Sequence, residues 1–354
     1  MQKLLTQTDG LACICGQRPT GRPQHQRGFT LIELMIAMFI STLIALAAIS
    51  ALVVTRQGFT TVDASSQLRD NGRFASDLIL RIGVQVGFKD RDSAGRDRLS
   101  NDGLPANPDP NIEGRNNQKL PGGTDPLNAT VSTWSTGEIG AGSDILVLRY
   151  QSAETFPGSG VADKSMIDCS GASNTSVPID RYDRAVSIFH VALSQGEPSL
   201  MCSVWSAASG SFSAAQPIIQ GVENFQVLYG TDGVTPNTAP ASSAIDTNPD
   251  RYLRADQLVV GGDPVGTNAN WRRVRSIRIG MVLRGALGSA TAAYDDATAT
   301  TYYPFGAGKS ASGGARGSAL AASADAGSDF KPPADGRLRQ VVTFTVHLRN
   351  DQGL

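Results

Sequence analysis

The sequence predicts an α+β protein shaped like a lollipop, in which one long N-terminal helix packs on a head of mainly antiparallel β-sheet. Three observations support this prediction. A long apolar segment lies near the N-terminus, an amphipathic helical repeat follows it, and alternating apolar and polar residues recur through the second half of the chain. Periods of 3.6 and 2 residues are typical of helices and half-buried strands, respectively.

The composition is that of a folded, nearly neutral protein. Of the 354 residues, 40% are hydrophobic and 18% are charged, which excludes wholesale disorder. The 31 basic residues are balanced by 32 acidic ones, so nucleic-acid binding by bulk electrostatics is not expected. The chain has only three histidines and four cysteines, so a zinc site or a histidine-based catalytic centre is not favoured.

The N-terminal segment has the charge pattern of a membrane-inserted protein. Residues 1–28 carry four basic residues against one acidic residue, and residues 29–54 form an apolar run whose single charge is Glu33. As a helix this run spans roughly 39 Å, which is enough to cross a hydrocarbon core of about 30 Å. Because basic flanks stay in the cytoplasm, the chain after residue 54 is expected in the periplasm.

Three interpretations of the apolar segment compete. A secretory signal would be cut after the A-x-A site at 45–47, but the apolar run continues past that site. A plain anchor leaves the Glu33 carboxylate without a partner, which costs about 2.5–3.5 kcal/mol at a helix centre and less near an end. Cleavage between Gly28 and Phe29 supplies the partner, because the new Phe29 amine of one subunit can meet Glu33 of a neighbour. We favour this third interpretation.

The residues around this site carry a resemblance. The stretch RGFTLIELMIA at 27–37 closely resembles the cleavage and N-methylation motif of type IV pilins and type II secretion pseudopilins. The resemblance implies a type IV pilin-like fold, cleavage after Gly28 by a prepilin peptidase, methylation of the Phe29 amine and filament assembly through the helix. Glu33 would set the register between subunits. The leader, residues 1–28, would be removed together with Cys13 and Cys15.

Residues 55–88 predict the amphipathic half of the same helix. Its apolar positions are spaced by 7, 4, 3 and 4 residues, with polar residues between them. They are Leu68, Ala75, Ile79, Ile82 and Val86. We expect one helix from Phe29 to about Val86, apolar all round over 29–54 and packed on the head over 55–88. Gly58 and Gly72 are weak points where this helix could bend.

The remaining residues, 89–354, are expected to form a β-rich periplasmic head. Strand patterns lie at 144–150, 186–193, 200–205, within 218–229, at 274–284 and at 338–349. Residues 89–142 are rich in Asp, Asn, Gly and Pro and predict loops. Their spacing does not match an EF-hand, so no metal site is expected. The Ala/Gly/Ser-rich stretch 286–336 predicts a flexible insertion.

Parts of the second half are similar to PilW-type minor pilins. These parts are GVENFQVLYG at 221–230, ADQ at 255–257, Trp271, the strand at 274–284 and FTVHLRN at 344–350. The resemblance implies a minor pilin that sits with other minor pilins at the filament tip and primes assembly. It would work with major pilins and the inner-membrane assembly platform, and it would present a PilY-type adhesin.

The mature chain offers little sign of catalysis. His190 and His347 lie in strand patterns, and no nucleophile elbow, Walker A loop or H-E-x-x-H motif accompanies them. We expect satisfied structural histidines, no cofactor and no enzyme. Cys169 and Cys202 are the two cysteines left after cleavage, and in an oxidising compartment they predict a disulfide. Two separate buried thiols are the alternative.

Three functions remain open from the sequence. The leading hypothesis is a minor pilin of a type IV pilus, held in the inner membrane by one span before assembly and located in the fibre, at its tip, afterwards. The second is a minor pseudopilin of a type II secretion system, which has the same N-terminal segment. The third is a membrane-anchored periplasmic enzyme or binding protein, which would need a preformed ligand pocket in the head.

Overall fold

The computed structural model describes residues 28–95, 107–120, 132–135, 138–206, 211–241, 246–290, 300–306, 325, 327–350 and 352. Residues 1–27 of the leader, with Cys13 and Cys15, and most of the predicted insertion 286–336 lie outside the described residues. The chain divides into two compact units, Met1–Thr55 and Arg56–Leu354, and each is described by itself.

The first unit is the apolar part of a helix, α1, which runs over Leu31–Gln85. The helix begins two residues after the predicted start, and all described residues of the first unit are exposed. The hydroxyls of Ser41, Thr42, Ser50 and Thr55 donate to carbonyls three or four residues earlier. Since a lipid core offers polar groups no partner, this bonding within the helix suits a membrane span.

The second unit contains the rest of α1, two short helices and twelve strands among its described residues. The short helices are α2 (Ala255–Leu258) and α3 (Pro264–Trp271). The strands are β1 (Ile112–Arg115), β2 (Gln118–Lys119), β3 (Ser132–Thr133), β4 (Ile145–Tyr150), β5 (Ala185–Ser194), β6 (Glu197–Ser206), β7 (Ser211–Phe212), β8 (Gln216–Gln220), β9 (Val222–Thr231), β10 (Arg251–Leu253), β11 (Val274–Arg284) and β12 (Arg339–His347).

The described strands form two larger sheets and one hairpin, and all of their pairings are antiparallel. The first sheet has the order β1-β4-β5-β6, with β7 and β8 both paired to β6, and the second has the order β10-β9-β11-β12. Strands β2 and β3 form the hairpin. The antiparallel prediction is confirmed, but the expectation of one sheet is wrong. Alternation shows which face of a strand is buried, whereas it does not show which strands are neighbours.

The loop prediction for 89–142 is wrong at β1. This strand reads IEGR and has no apolar alternation of its own. Its backbone pairs with β4, from Ile112 opposite Leu148 to Arg115 opposite Ile145. Strand formation here is therefore a consequence of the neighbouring strand rather than of local sequence, because β-propensity depends strongly on packing context.

The stripe on the second half of α1 is buried as predicted. Its five members, Leu68, Ala75, Ile79, Ile82 and Val86, are each at most 3% exposed. They share one apolar core with residues of both sheets, among them Phe189, Phe225, Ile279 and Val346. Burying an aliphatic side chain stabilises a fold by about 1.5–3 kcal/mol, so the stripe is an integral part of this core.

Gly72 and Gly83 of α1 lie close to β12. A Cβ atom on Gly72 would come within 2.7 Å of a Val342 methyl, and one on Gly83 within 2.6 Å of a Val346 methyl. Gly72 was a point where the helix could bend, and α1 is continuous through it. Because Gly72 and Gly83 have no side chain, α1 and β12 can approach each other closely.

Buried polar contacts link the two sheets. The Asp144 carboxylate, just before β4, accepts hydrogen bonds from the backbone N–H groups of Val227 and Asn117 at 2.8 Å each. Burial, together with the charge of Asp325, raises the pKa of Asp144 well above its ordinary value. At the other end, the Arg284 guanidinium of β11 binds Glu197 of β6 at 2.9 Å, and Arg339 of β12 binds Glu223 within the second sheet at 2.7 Å.

We expect the head to fold without its membrane segment but not without the stripe. A chain that begins at Thr55 should be soluble and unfold cooperatively, because it keeps every stripe residue. A chain that begins at Lys89 should aggregate, because it exposes the sheet residues that the stripe covers. Size-exclusion chromatography and thermal unfolding compare the two. Equal solubility and equal melting temperature would show that the stripe is not part of the core.

Cys169 and Cys202 are joined by a disulfide in the structure, with Cα atoms 5.6 Å apart and a sequence separation of 33. Replacing Cys169 by serine should lower the free energy of unfolding by about 3–4 kcal/mol, because the unfolded chain is no longer cross-linked. Denaturant unfolding measures this loss. Dithiothreitol should lower the free energy of unfolding of the wild type and leave that of the variant unchanged. Two alkylatable thiols in the non-reduced wild type would contradict the cross-link.

Candidate assembly site at the start of the N-terminal helix

The site begins with the residue that caps α1. The Thr30 hydroxyl accepts a hydrogen bond from the Glu33 N–H at 3.3 Å, and the Glu33 carboxylate accepts one from the Thr30 N–H at 2.9 Å. The same hydroxyl donates to this carboxylate at 2.9 Å. This reciprocal pair is a capping box, which starts a helix at a defined residue. Thr30 was not among the predicted site residues, although its T-x-x-E spacing to Glu33 is a sequence signal for this cap.

Glu33 thus caps α1 within one subunit, in addition to its predicted role between subunits. Its charge lies in the first turn of α1, where the helix dipole favours an anion. Its described contacts are both with Thr30 and both use Oε2, which leaves Oε1 without a partner among the described residues. In the uncleaved chain Phe29 has a peptide nitrogen, so the amine predicted to meet Glu33 exists only after processing.

The predicted cleavage bond is accessible. Gly28 and Phe29 lie before the helix, and both are exposed. A Cβ atom on Gly28 would meet no heavy atom within 4 Å. A substitution there therefore leaves the fold of the chain undisturbed, and its effects report on recognition by the protease.

The first part of α1 presents apolar side chains in every direction. Phe29 is 88% exposed and Leu31 is 76% exposed, and every large apolar residue of 29–54 is at least 48% exposed. By length and composition this helix can cross a membrane. A surface of this kind is stable in lipid or between other apolar helices, and not in water.

A second exposed face lies on α1 within the head unit. Phe59, Val62 and Phe74 are 70%, 64% and 55% exposed. At 100° per residue they lie on the side of the helix opposite Leu68 and the rest of the stripe. The head therefore does not cover them, and they are available to a neighbouring subunit.

Two family models match the chain. The model described as type IV pilus-assembly protein W matches residues 188–350, and the prokaryotic N-terminal methylation motif matches residues 23–49. Together the two matches indicate a minor pilin of a type IV pilus, of the PilW type. In this PilW-type protein the first match runs from Ile188 in β5 to beyond β12, and the second contains Gly28, Phe29 and Glu33. The resemblance drawn from the sequence is confirmed.

Among solved structures, the chain is similar to a type IV-like pilin from Thermus thermophilus. The two are 13% identical, with a TM-score of 0.34, over 80% of this chain and 98% of that one. No curated protein matches the chain. As a PilW-type protein it is a membrane-anchored pilin that is later incorporated into a type IV pilus with other pilins.

The two histidines of the strands do not form a common site. His190 pairs with Met201 in the first sheet, whereas His347 pairs with Ser276 in the second and is exposed. His190 is only 5% exposed, and neither ring nitrogen has a well-formed hydrogen bond among the described residues. His190 is buried as expected, and the described residues do not supply a clear hydrogen-bond partner for its ring. The described residues contain no group of three metal-ligating side chains.

The buried imidazole makes stability depend on pH. Burial lowers the pKa of His190 to about 4, and the Val191 backbone opposes this only in part. Between pH 6.5 and 4 the unfolded chain binds a proton that the native chain does not, so stability should fall by about 3 kcal/mol as the pH falls. Denaturant unfolding at several pH values measures this fall in stability, which should be much smaller in His190→Leu than in the wild type. A His347→Leu control should keep it.

Proposed function

We propose that this minor pilin is part of the complex that primes pilus assembly and that it remains at the filament tip. The observation that carries its incorporation is the position of Glu33. One carboxylate lies in the first turn of a helix whose surface is otherwise apolar and exposed over 29–54. Such a helix can be buried among others of its kind only if that charge finds a partner, and a neighbour's Phe29 amine is the partner at hand.

The order of events follows from the same residues. A prepilin peptidase cuts between Gly28 and Phe29, the Phe29 amine is methylated, and the inner-membrane assembly platform passes the subunit from lipid into the filament. Phe59, Val62 and Phe74 then continue the contact with neighbouring minor or major pilins beyond the apolar segment. The role is structural rather than enzymatic.

The tip position rests on the PilW family. A minor pilin of this type would present a PilY-type adhesin, and the head would be its docking platform. Only residues 29–54 are apolar on all sides, so only this part of the chain can be surrounded by other helices. The head therefore remains on the surface of the assembly.

The experiment is a deletion strain complemented with an epitope-tagged copy. We expect the deletion to abolish surface pili and twitching, and immunogold to label one end of each complemented filament. Label along the shaft would contradict the tip position, and normal pili in the deletion would contradict priming. If pili persist and secretion of periplasmic proteins fails, the chain acts as a type II pseudopilin instead.

A further inference from the structure

The head contains a cavity that filament assembly does not use. It has a volume of about 250 Å³ and lies where β4 ends, β5 begins and β6 ends. The segment 168–176, here named the cystine loop, forms one wall of it. No local sequence pattern marks this pocket, because its residues come from four separate stretches of the chain.

The cystine loop is held in place before any ligand arrives. The Cys169–Cys202 disulfide ties it to β6, and the Cys169 N–H donates to the Ser187 hydroxyl of β5 at 3.1 Å. Farther along, the Asn174 N–H donates to the Met166 carbonyl at 3.0 Å. A wall fixed in this way loses little conformational entropy on binding.

One side of the cavity is lined by polar side chains that have hydrogen-bonding atoms without a partner among the described residues. Asp168 accepts hydrogen bonds from its own loop through Oδ1, and Asp183 accepts from the Ile179 N–H through Oδ2. The other carboxylate oxygen of each has no partner among the described residues. Asn174 uses its Oδ1 for the Ser176 N–H at 3.0 Å, and its Nδ2 has no described partner either. All three residues line the cavity, so unpaired acceptors and a donor belong to its lining.

The other side is apolar and rigid. Trp205 is half-buried and lines the cavity, and its ring is held edge-on against Phe212 with centroids 5.1 Å apart. Pro178, Ala185 and Val204 complete this wall. A flat aromatic ring opposite hydroxyl-binding groups suits a ligand that has one apolar face and a polar rim.

The charges of the cavity narrow the ligand class. Two carboxylates, Asp168 and Asp183, face one guanidinium, that of Arg184, whose Nη1 already donates to Asp109 and Asn111. Anionic ligands are disfavoured by this excess of negative charge. The described residues hold no set of three metal-ligating groups here. A neutral molecule rich in hydroxyls fits both walls.

We propose that this cavity binds a neutral sugar residue, with its hydroxyls donating to Asp168 and Asp183 and its apolar ring face against Trp205. The protein thereby has a glycan-binding function of its own, separate from presenting an adhesin. It depends on the fold of the head and not on the position of the subunit in the filament.

Saturation-transfer NMR tests the proposal on the full-length protein in a detergent without a sugar head group. The probes are methyl glycosides of glucose, galactose, mannose and N-acetylglucosamine, with methyl glucuronide as the anionic probe. We expect transfer to at least one neutral glycoside and at least tenfold weaker binding of the glucuronide. No transfer to any neutral probe, or tighter binding of the glucuronide, would overturn the proposal.

Variants assign the binding to the cavity. Asp183→Asn and Trp205→Leu should each weaken it at least tenfold, and dithiothreitol should abolish it by releasing the cystine loop. Asp163→Asn is the matched control, because this exposed carboxylate precedes the same loop and does not line the cavity. Should Trp205→Leu fail to fold, Asp183→Asn decides alone. Undiminished binding in a folded Asp183→Asn would refute the assignment.

Discussion

Replacing Glu33 by valine is expected to leave the protein processed and inserted in the membrane and to abolish its incorporation into pili. The variant helix is less polar, so it suits lipid better than the wild type does. The Phe29 amine of a neighbour, however, loses its counter-charge in a medium of low dielectric constant, where an unpaired charge costs several kcal/mol. Immunoblots of sheared filaments and of membranes measure the two pools. Wild-type amounts in filaments would refute the role in register.

Two controls separate charge from helix capping, because Glu33 takes part in both. Glu33→Gln keeps a side chain that can serve the capping box and removes the charge, so it should fail as valine does. Thr30→Ala removes the cap at a cost of about 1 kcal/mol and keeps the carboxylate, so it should still enter filaments. If Thr30→Ala fails while Glu33→Gln assembles, capping of the helix rather than pairing with the amine is what assembly needs.

Replacing Gly28 by glutamate should block processing completely and leave the full-length chain in the membrane. The peptidase must approach the backbone at the scissile bond, and a glycine is the residue that permits the closest approach. The space around Gly28 is open, so the substitution does not disturb the fold. Mass spectrometry of the mature N-terminus gives the result, which for the wild type should be a chain that starts at methylated Phe29.

The matched control for this change is Gly58→Ala. Gly58 also lies in open space, within α1, so this variant should be processed and assembled as the wild type is. A wild-type chain that starts at residue 48, after the A-x-A site, would contradict the prepilin interpretation in favour of a secretory signal.

The helix, its two halves and the assembly site could be predicted from the sequence because each is encoded by neighbouring residues. The apolar run over 29–54 and the stripe from Leu68 to Val86 are periodic patterns within one helix, and a helix forms by local hydrogen bonds. The same holds for the longer strands, whose alternation is local. The assembly motif around Gly28 and Glu33 is one short stretch, so it too can be read without tertiary structure.

The arrangement of the head was decided by contacts between residues far apart in the chain. Strand β1 has no pattern of its own and exists because β4 lies beside it. The close approach of Val342 to Gly72 depends on how β12 packs against α1, which the local sequence does not specify. His190 has no well-formed partner among the described residues, and the cavity near Trp205 combines separate stretches of the chain. Both follow from which surfaces pack together, which local sequence does not determine. Local sequence specifies the elements, whereas the pairing and packing of distant elements specify the pockets between them.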